Sequence, residues 1–367
     1  MNILLLSTFS PGSASSLIRR GFEQSRHTVI AASPVAANGD WIQCDSRVNV
    51  PHLITHCSAK PDLVMLVESN ARARFFPDGW MDVPVPTAFW AIDSHLNYRW
   101  HKEYAAHFDA TFFAQKDYIR AAHRYGATNV RWLPLAADAL YHQIEPKSGK
   151  YAVSFVGSVT RGRRAFFDSI GSDIPLNIVT GIYEEEMAKI LSESKIGINL
   201  SIREDLNMRF FEVLASGALL VTQKIEAGMN ELFEEGTHFV THRIKDARGV
   251  LQYYLNNEAE RAHIAQNGRA LCLSRHTYKH RCEEILRVAL ADPDFMKRRL
   301  DRLKGHKADI TQSLVFSYPS FKMTEEARQH RRNAIKKNRI GTYTYLLKYF
   351  ITYIEQSLQK MFKKTIW

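Results

Sequence analysis

In the 28 residues from Lys195 to Thr222 the chain reads as strand, loop, helix and strand, and this restricts its fold more than any other feature. Lys195-Ile-Gly-Ile-Asn-Leu-Ser-Ile202 is an apolar strand run, and Arg209 to Ser216 has a helical pattern. Gly217 stops the helix, and Ala218 to Thr222 is a second strand. Such a βαβ unit requires a parallel sheet, and open sheets of this kind bind ligands beside the carboxyl ends of their strands. The loop entering the helix carries Glu204, Asp205, Asn207 and Arg209. The first helical turn adds N–H groups without intrahelical partners, which favour an anion.

The same alternation runs through most of the chain. Strand runs fall at Asn2–Ser7, Thr28–Ala32, Pro61–Val67, Pro86–Ile92, Ala110–Phe113 and Asn129–Leu133, with helices over Ser15–Gln24, Trp100–His107 and Lys116–Tyr125. Glu145-Pro-Lys-Ser-Gly-Lys150 is a polar Pro/Gly linker. Strands then return at Tyr151–Val156, Leu176–Val179, Ile196–Leu200, Ala218–Thr222 and His238–Val240. The helices between them are Arg163–Ile170, Glu184–Ser194, Arg209–Ser216, Met229–Phe233 and Ile244–Asn256. The pattern predicts two doubly wound α/β domains, residues 1–146 and 147–294, with a basic helical tail over residues 295–367.

Length and composition allow this: 367 residues with 45% hydrophobic content supply two cores. Cys44, Cys57, Cys272 and Cys282 are scattered, which argues against a disulfide framework or a zinc knuckle and for reduced thiols in a cytosol. Met1-Asn-Ile-Leu-Leu-Leu reads as a first strand rather than a signal peptide, and no run approaches a membrane span. The net charge of +11 is localised. From Phe295 onward there are 17 Lys and Arg against five acidic residues, while the rest is almost balanced. An anionic partner is therefore expected for the tail alone.

Several further segments share one resemblance. Phe89-Trp-Ala-Ile-Asp-Ser-His-Leu-Asn97, Phe112-Phe-Ala-Gln-Lys-Asp-Tyr118, Trp132-Leu-Pro-Leu-Ala-Ala-Asp138, Val153-Ser-Phe-Val-Gly157, Asn207-Met-Arg-Phe-Phe-Glu212 and His276-Thr-Tyr-Lys-His-Arg281 resemble, in this order, the CgeB-like branch of the glycosyl transferases group 1 family. The resemblance spans roughly residues 1–290. Glu204 and Glu212, followed by Ala215-Ser-Gly217, resemble the Glu-x7-Glu signature of GT-B glycosyltransferases. Here Asp205-Leu206-Asn207 replaces the Gly-Phe-Gly of better-known members. The resemblance implies a GT-B fold, two Rossmann-like domains facing a cleft. It also implies a retaining transfer of sugar from a nucleoside-diphosphate sugar to a hydroxyl of a protein or glycan.

The resemblance implies that Glu212 holds the ribose hydroxyls, and a carboxylate can accept two charge-assisted bonds from a diol. Against this stands an N-terminal Glu favoured by the helix dipole. Asn207 and Arg209 suit diphosphate oxygens, as do Gly157, Arg163 and Arg164 in the loop Gly157-Ser-Val-Thr-Arg-Gly-Arg-Arg164. The blander alternatives are a surface ion pair and a solvated basic cluster. Gly12 could give the backbone close access to substrate, and Tyr183 and Glu186 could border the base. Asp93 and His95 follow a strand and suit a general base for the acceptor; the alternative is that Asp93 caps the next helix. Glu68 is a second acceptor-side carboxylate, Asp138 another near the hinge, and Glu204 completes the expected catalytic set. With no Asp-x-Asp of the metal-binding type, no cofactor or metal is expected.

Two rival readings remain, an epimerase or hydrolase of the same fold and a GT-B-shaped docking protein without turnover. In the tail, Leu347, Phe350, Ile354, Leu358, Met361 and Phe362 lie at helical spacing with Lys348, Lys360, Lys363 and Lys364 between them, after a basic run from Arg331 to Arg339. That pattern fits either the anionic inner face of a membrane or packing on the body or a second copy of the chain. Nucleic acid is disfavoured, since the body shows no basic groove or binding motif.

Overall fold

The protein is described by a computed structural model covering residues 1–35, 40–68, 75–124, 126–147, 149–201 and 203–305. The expected amphipathic segment from Tyr345 to Trp367 and the basic run before it lie outside these residues.

The first domain is one parallel sheet of seven strands: β1 (Asn2–Leu6), β2 (Thr28–Ser33), β3 (Ile42–Gln43), β4 (Leu63–Val67), β5 (Thr87–Ala91), β6 (Ala110–Phe113) and β7 (Val130–Trp132). Their spatial order is β3-β2-β1-β4-β5-β6-β7. Between them run α1 (Ala14–Gln24), α2 (Val50–Ile54), α3 (Ser94–Tyr104) and α4 (Ile119–Arg124). β1, β4 and β5 are buried almost throughout, which is why they read as unbroken apolar runs.

The second domain has five parallel strands: β8 (Tyr151–Val156), β9 (Leu176–Val179), β10 (Ser194–Asn199), β11 (Leu219–Gln223) and β12 (Val240–His242), in the order β12-β11-β10-β8-β9. Its helices are α5 (Arg161–Ile170), α6 (Glu184–Ser192), α7 (Met208–Ser216), α8 (Met229–Leu232), α9 (Ala247–Asn256) and α10 (Glu258–Arg275). The order reverses at β1/β4 in the first sheet and at β8/β10 in the second, and crevices for ligands open at such switch points.

Two further helices, α11 (Tyr278–Ala289) and α12 (Phe295–Gly305), return to the first domain. The expected boundaries gave α11 to the second domain and α12 to the tail. α11 packs along α1 so closely that a Cβ on Gly21 would lie 2.9 Å from the Tyr278 carbonyl and from Cys282 Sγ. α12 is anchored by Arg299, which is fully buried. Arg299 Nε lies 3.2 Å from Asp109 Oδ1, and its two other nitrogens reach Asp109 and the carbonyls of Val83 and Val85. The first eleven residues of the basic segment thus close the first domain.

The chain crosses between domains twice, and the crossings are bonded side by side. Ala137 N–H donates to His276 O at 3.0 Å, and Tyr278 N–H donates to Ala137 O at 2.9 Å. Arg281 and Arg269, both drawn inward, donate to the carbonyls of Pro134 and Leu135 and of Tyr141 and Ile144 respectively. These guanidiniums bind carbonyls of the segment that links the two domains.

Candidate active site

The carboxyl ends of both sheets face one another. After β8, Gly157 leads into α5, where the Thr160 side chain caps the helix by accepting from Arg163 N. Arg163 does not reach outward as expected. Its Nη1 donates to Ser158 O at 2.8 Å, Nη2 donates to Leu200 O, and the guanidinium lies over the Phe155 ring. It ties the β8 loop to the end of β10, while Arg161 and Arg164 are exposed at the helix start.

After β10, Asn207 caps α7 by accepting from Phe210 N at 3.3 Å, so one atom expected on a diphosphate already serves the helix. Arg209 and Glu212 form an ion pair at 2.7 Å. Glu212 is only 3% exposed, and burial raises its pKa, with Asp138 adding to the rise and Arg209 opposing it. The contact with Arg209 is close but poorly aligned, leaving Oε2 without a well-formed hydrogen bond. Glu204 is exposed, with a left-handed backbone at φ 59°.

In the first domain, Glu68 closes the end of β4. Its carboxylate accepts from Ile92 N, Asp93 N and Asn97 Nδ2, each at 2.6 Å, and pairs with His101 at 3.1 Å. These partners hold its pKa low against its burial. An acceptor role was expected of Glu68; instead its oxygens build the β5–α3 turn. That turn differs from the expected loop, since α3 begins at Ser94 and carries His95 in its first turn. Asp93 then stands beside Glu68, and burial pushes its pKa up to about 7, with the charges of Glu68 and Asp205 adding to the rise. Burial lowers the pKa of His95, opposed by Asp205 and Glu68.

Asp205 was named in the loop but given no role of its own, and Arg203 was not singled out. Asp205 Oδ1 accepts from Ser201 Oγ at 2.7 Å, and Arg203 Nη1 donates across the cleft to His95 O at 3.2 Å. Leu206 N donates to Gln115 Oε1 at 3.0 Å, and Lys116 pairs with Glu231, so the loops of the two domains are in contact. A second seam joins Gly12 to the loop carrying Tyr183, whose side chain lies against it. There Arg20 bridges Asp138 and Glu184. Arg20 has no signal in the sequence, since a cation on an amphipathic helix ordinarily reads as solvated surface. Among the described residues no group of three or more His, Cys, Asp or Glu is placed to hold a metal ion, and no helix is long and apolar enough to cross a membrane.

Residues 152–287 match the family described as glycosyl transferase-like. No curated protein sequence matches the chain. Among solved structures, the Anabaena protein HepE in complex with UDP-glucose is similar over 80% of this chain and 100% of its own, with a TM-score of 0.60 at 12% identity. A glycosyltransferase from Rickettsia africae is similar over 83% and 99%, with a TM-score of 0.57 at 10% identity. An alpha-glucosyltransferase in complex with UDP and a DNA 13-mer is similar over 81% and 99%, with a TM-score of 0.56 at 12% identity. The chain therefore has the GT-B fold, and its residues 152–287 are similar to the glycosyl transferase-like family.

Proposed function

We propose that the protein transfers a glycosyl group from a nucleoside-diphosphate sugar to a hydroxyl of a protein or glycan. The observation that carries this reading is the seam where Asp93 and His95 of one domain meet Arg203 and Asp205 of the other, at the carboxyl ends of both sheets. The donor would lie over the β8/β10 switch, with its diphosphate toward the start of α7 and Arg209. Glycosidic cleavage builds oxocarbenium character on the sugar and charge on the departing diphosphate. Arginines and helix N–H groups would meet that charge without a metal. Asp93, titrating near neutral pH, would receive the proton of the acceptor hydroxyl. Retention of anomeric configuration is the outcome the Glu-x7-Glu pattern implies, and the anomeric proton signal of the product would read it.

Calorimetric titration with uridine, uridine diphosphate and a panel of nucleotide sugars tests the donor assignment. Tighter binding of a nucleoside diphosphate than of its bare nucleoside supports it; equal or undetectable binding across several bases overturns it. Release of free sugar or an epimer, without transfer, would favour the hydrolase or epimerase reading.

A further inference from the structure

Arg20 on α1 is held by two carboxylates of different origin. Asp138, at the crossing between domains, is 5% exposed and is itself fixed by accepting from Leu140 N at 3.0 Å. Glu184 comes from the second domain, and its Oε1 receives both Arg20 Nη2 at 2.9 Å and the backbone N–H of Gly12 at 3.3 Å. A guanidinium and a main-chain N–H converging on one oxygen are the donor set that binds a phosphate oxygen. The position is the end of β1, at the switch point of the first sheet.

We propose that the Glu184 carboxylate is an internal occupant of an anion cradle formed by Gly12 N–H and Arg20, and that a diphosphate oxygen must displace it to bind. The proposal rests on the donor reading above and adds a competing group to it. As it stands, two carboxylates outweigh one guanidinium, so the cradle repels an incoming anion. Once Glu184 leaves, Asp138 still aims the guanidinium, one edge of which is free together with the Gly12 N–H.

The Glu184 segment is built to leave. Its backbone is left-handed at φ 50°, a conformation a non-glycine residue keeps only while contacts hold it. Gly181, three residues earlier, has φ 75°, and Tyr183 between them is 54% exposed. Gly12 must stay a glycine, since its φ is 67° and a Cβ would approach Tyr183 to 3.0 Å.

The test is titration of the full chain with inorganic pyrophosphate. Glu184→Gln keeps the shape without the charge, and Glu184→Asn tolerates the left-handed backbone but is too short to reach Arg20. Each should bind pyrophosphate roughly tenfold more tightly than the wild type, because the binding-competent state no longer competes with a closed one. Adding Arg20→Met to either variant should abolish the gain. Equal or weaker binding by folded Gln and Asn variants would overturn the cradle. Titration of the wild type with uridine diphosphate judges the donor reading separately: its failure there leaves the pyrophosphate comparison decisive.

Discussion

Arg203 Nη1 donates to the carbonyl oxygen of His95 at 3.2 Å, a bond from the donor-side loop of one domain to the first turn of α3 in the other. Asp205, two residues further on, acts by its charge on both Asp93 and His95. Contact between the domains therefore adds to the rise that burial and Glu68 impose on Asp93, and opposes the fall that burial imposes on His95. If Asp93 is the base, Asp205→Asn removes a repelling charge and lowers its pKa. The acid limb of the transfer rate should move to lower pH, with the alkaline plateau less affected. An unmoved acid limb would show that Asp205 does not tune Asp93.

Asp93→Asn should lower transfer about 10²–10⁴-fold, the range for a lost general base. It should also stabilise the fold. The folded pKa of about 7 exceeds the ordinary value of 3.8, so between these values the folded state holds a proton that the unfolded chain has released. Stability is thus lost as pH rises through that window. The gain in melting temperature from Asp93→Asn should be larger at pH 8 than at pH 4. A gain independent of pH would contradict the burial argument.

Glu212→Gln separates two uses of a buried carboxylate. If the ribose reaches it, uridine binding should weaken by about 1.5–3 kcal/mol, the worth of hydrogen bonds to a charged group. Unchanged uridine affinity, with diphosphate binding altered, would assign Glu212 to holding Arg209 instead.

Arg299→Met should cost about 3–5 kcal/mol, because the buried Asp109 carboxylate loses the guanidinium that balances its charge. Chemical denaturation measures this directly. A chain truncated after Asp294 should show a similar loss relative to one ending after Gly305. Equal stability of both truncated chains would show that α12 does not close the first domain.

The strands were legible because parallel strands buried on both faces read as apolar runs, and Gly217 marked the end of α7. β3 was not, being two residues at a sheet edge, nor was α10, which is polar around most of its surface. The helix start at Ser94 was legible only through the alternative in which Asp93 caps the next helix, because tertiary bonds from Glu68 fix the turn before it. For the site, the sequence picked out loops at the carboxyl ends of the strands, but not which side chain in each is committed internally. Glu68, Asn207 and Arg163 have the chemistry of ligand groups, yet each holds local backbone. Arg20 and Asp205 matter through partners more than 90 residues away, which spacing cannot reveal.

The central claim is tested most directly by incubating the purified chain with radiolabelled uridine-diphosphate sugars and a glycan- and protein-containing extract, beside the Asp93→Asn variant. The account predicts label on a macromolecule with the wild type and little with the variant. Label that stays on the nucleotide, or appears only as free sugar, for every sugar tried would contradict it.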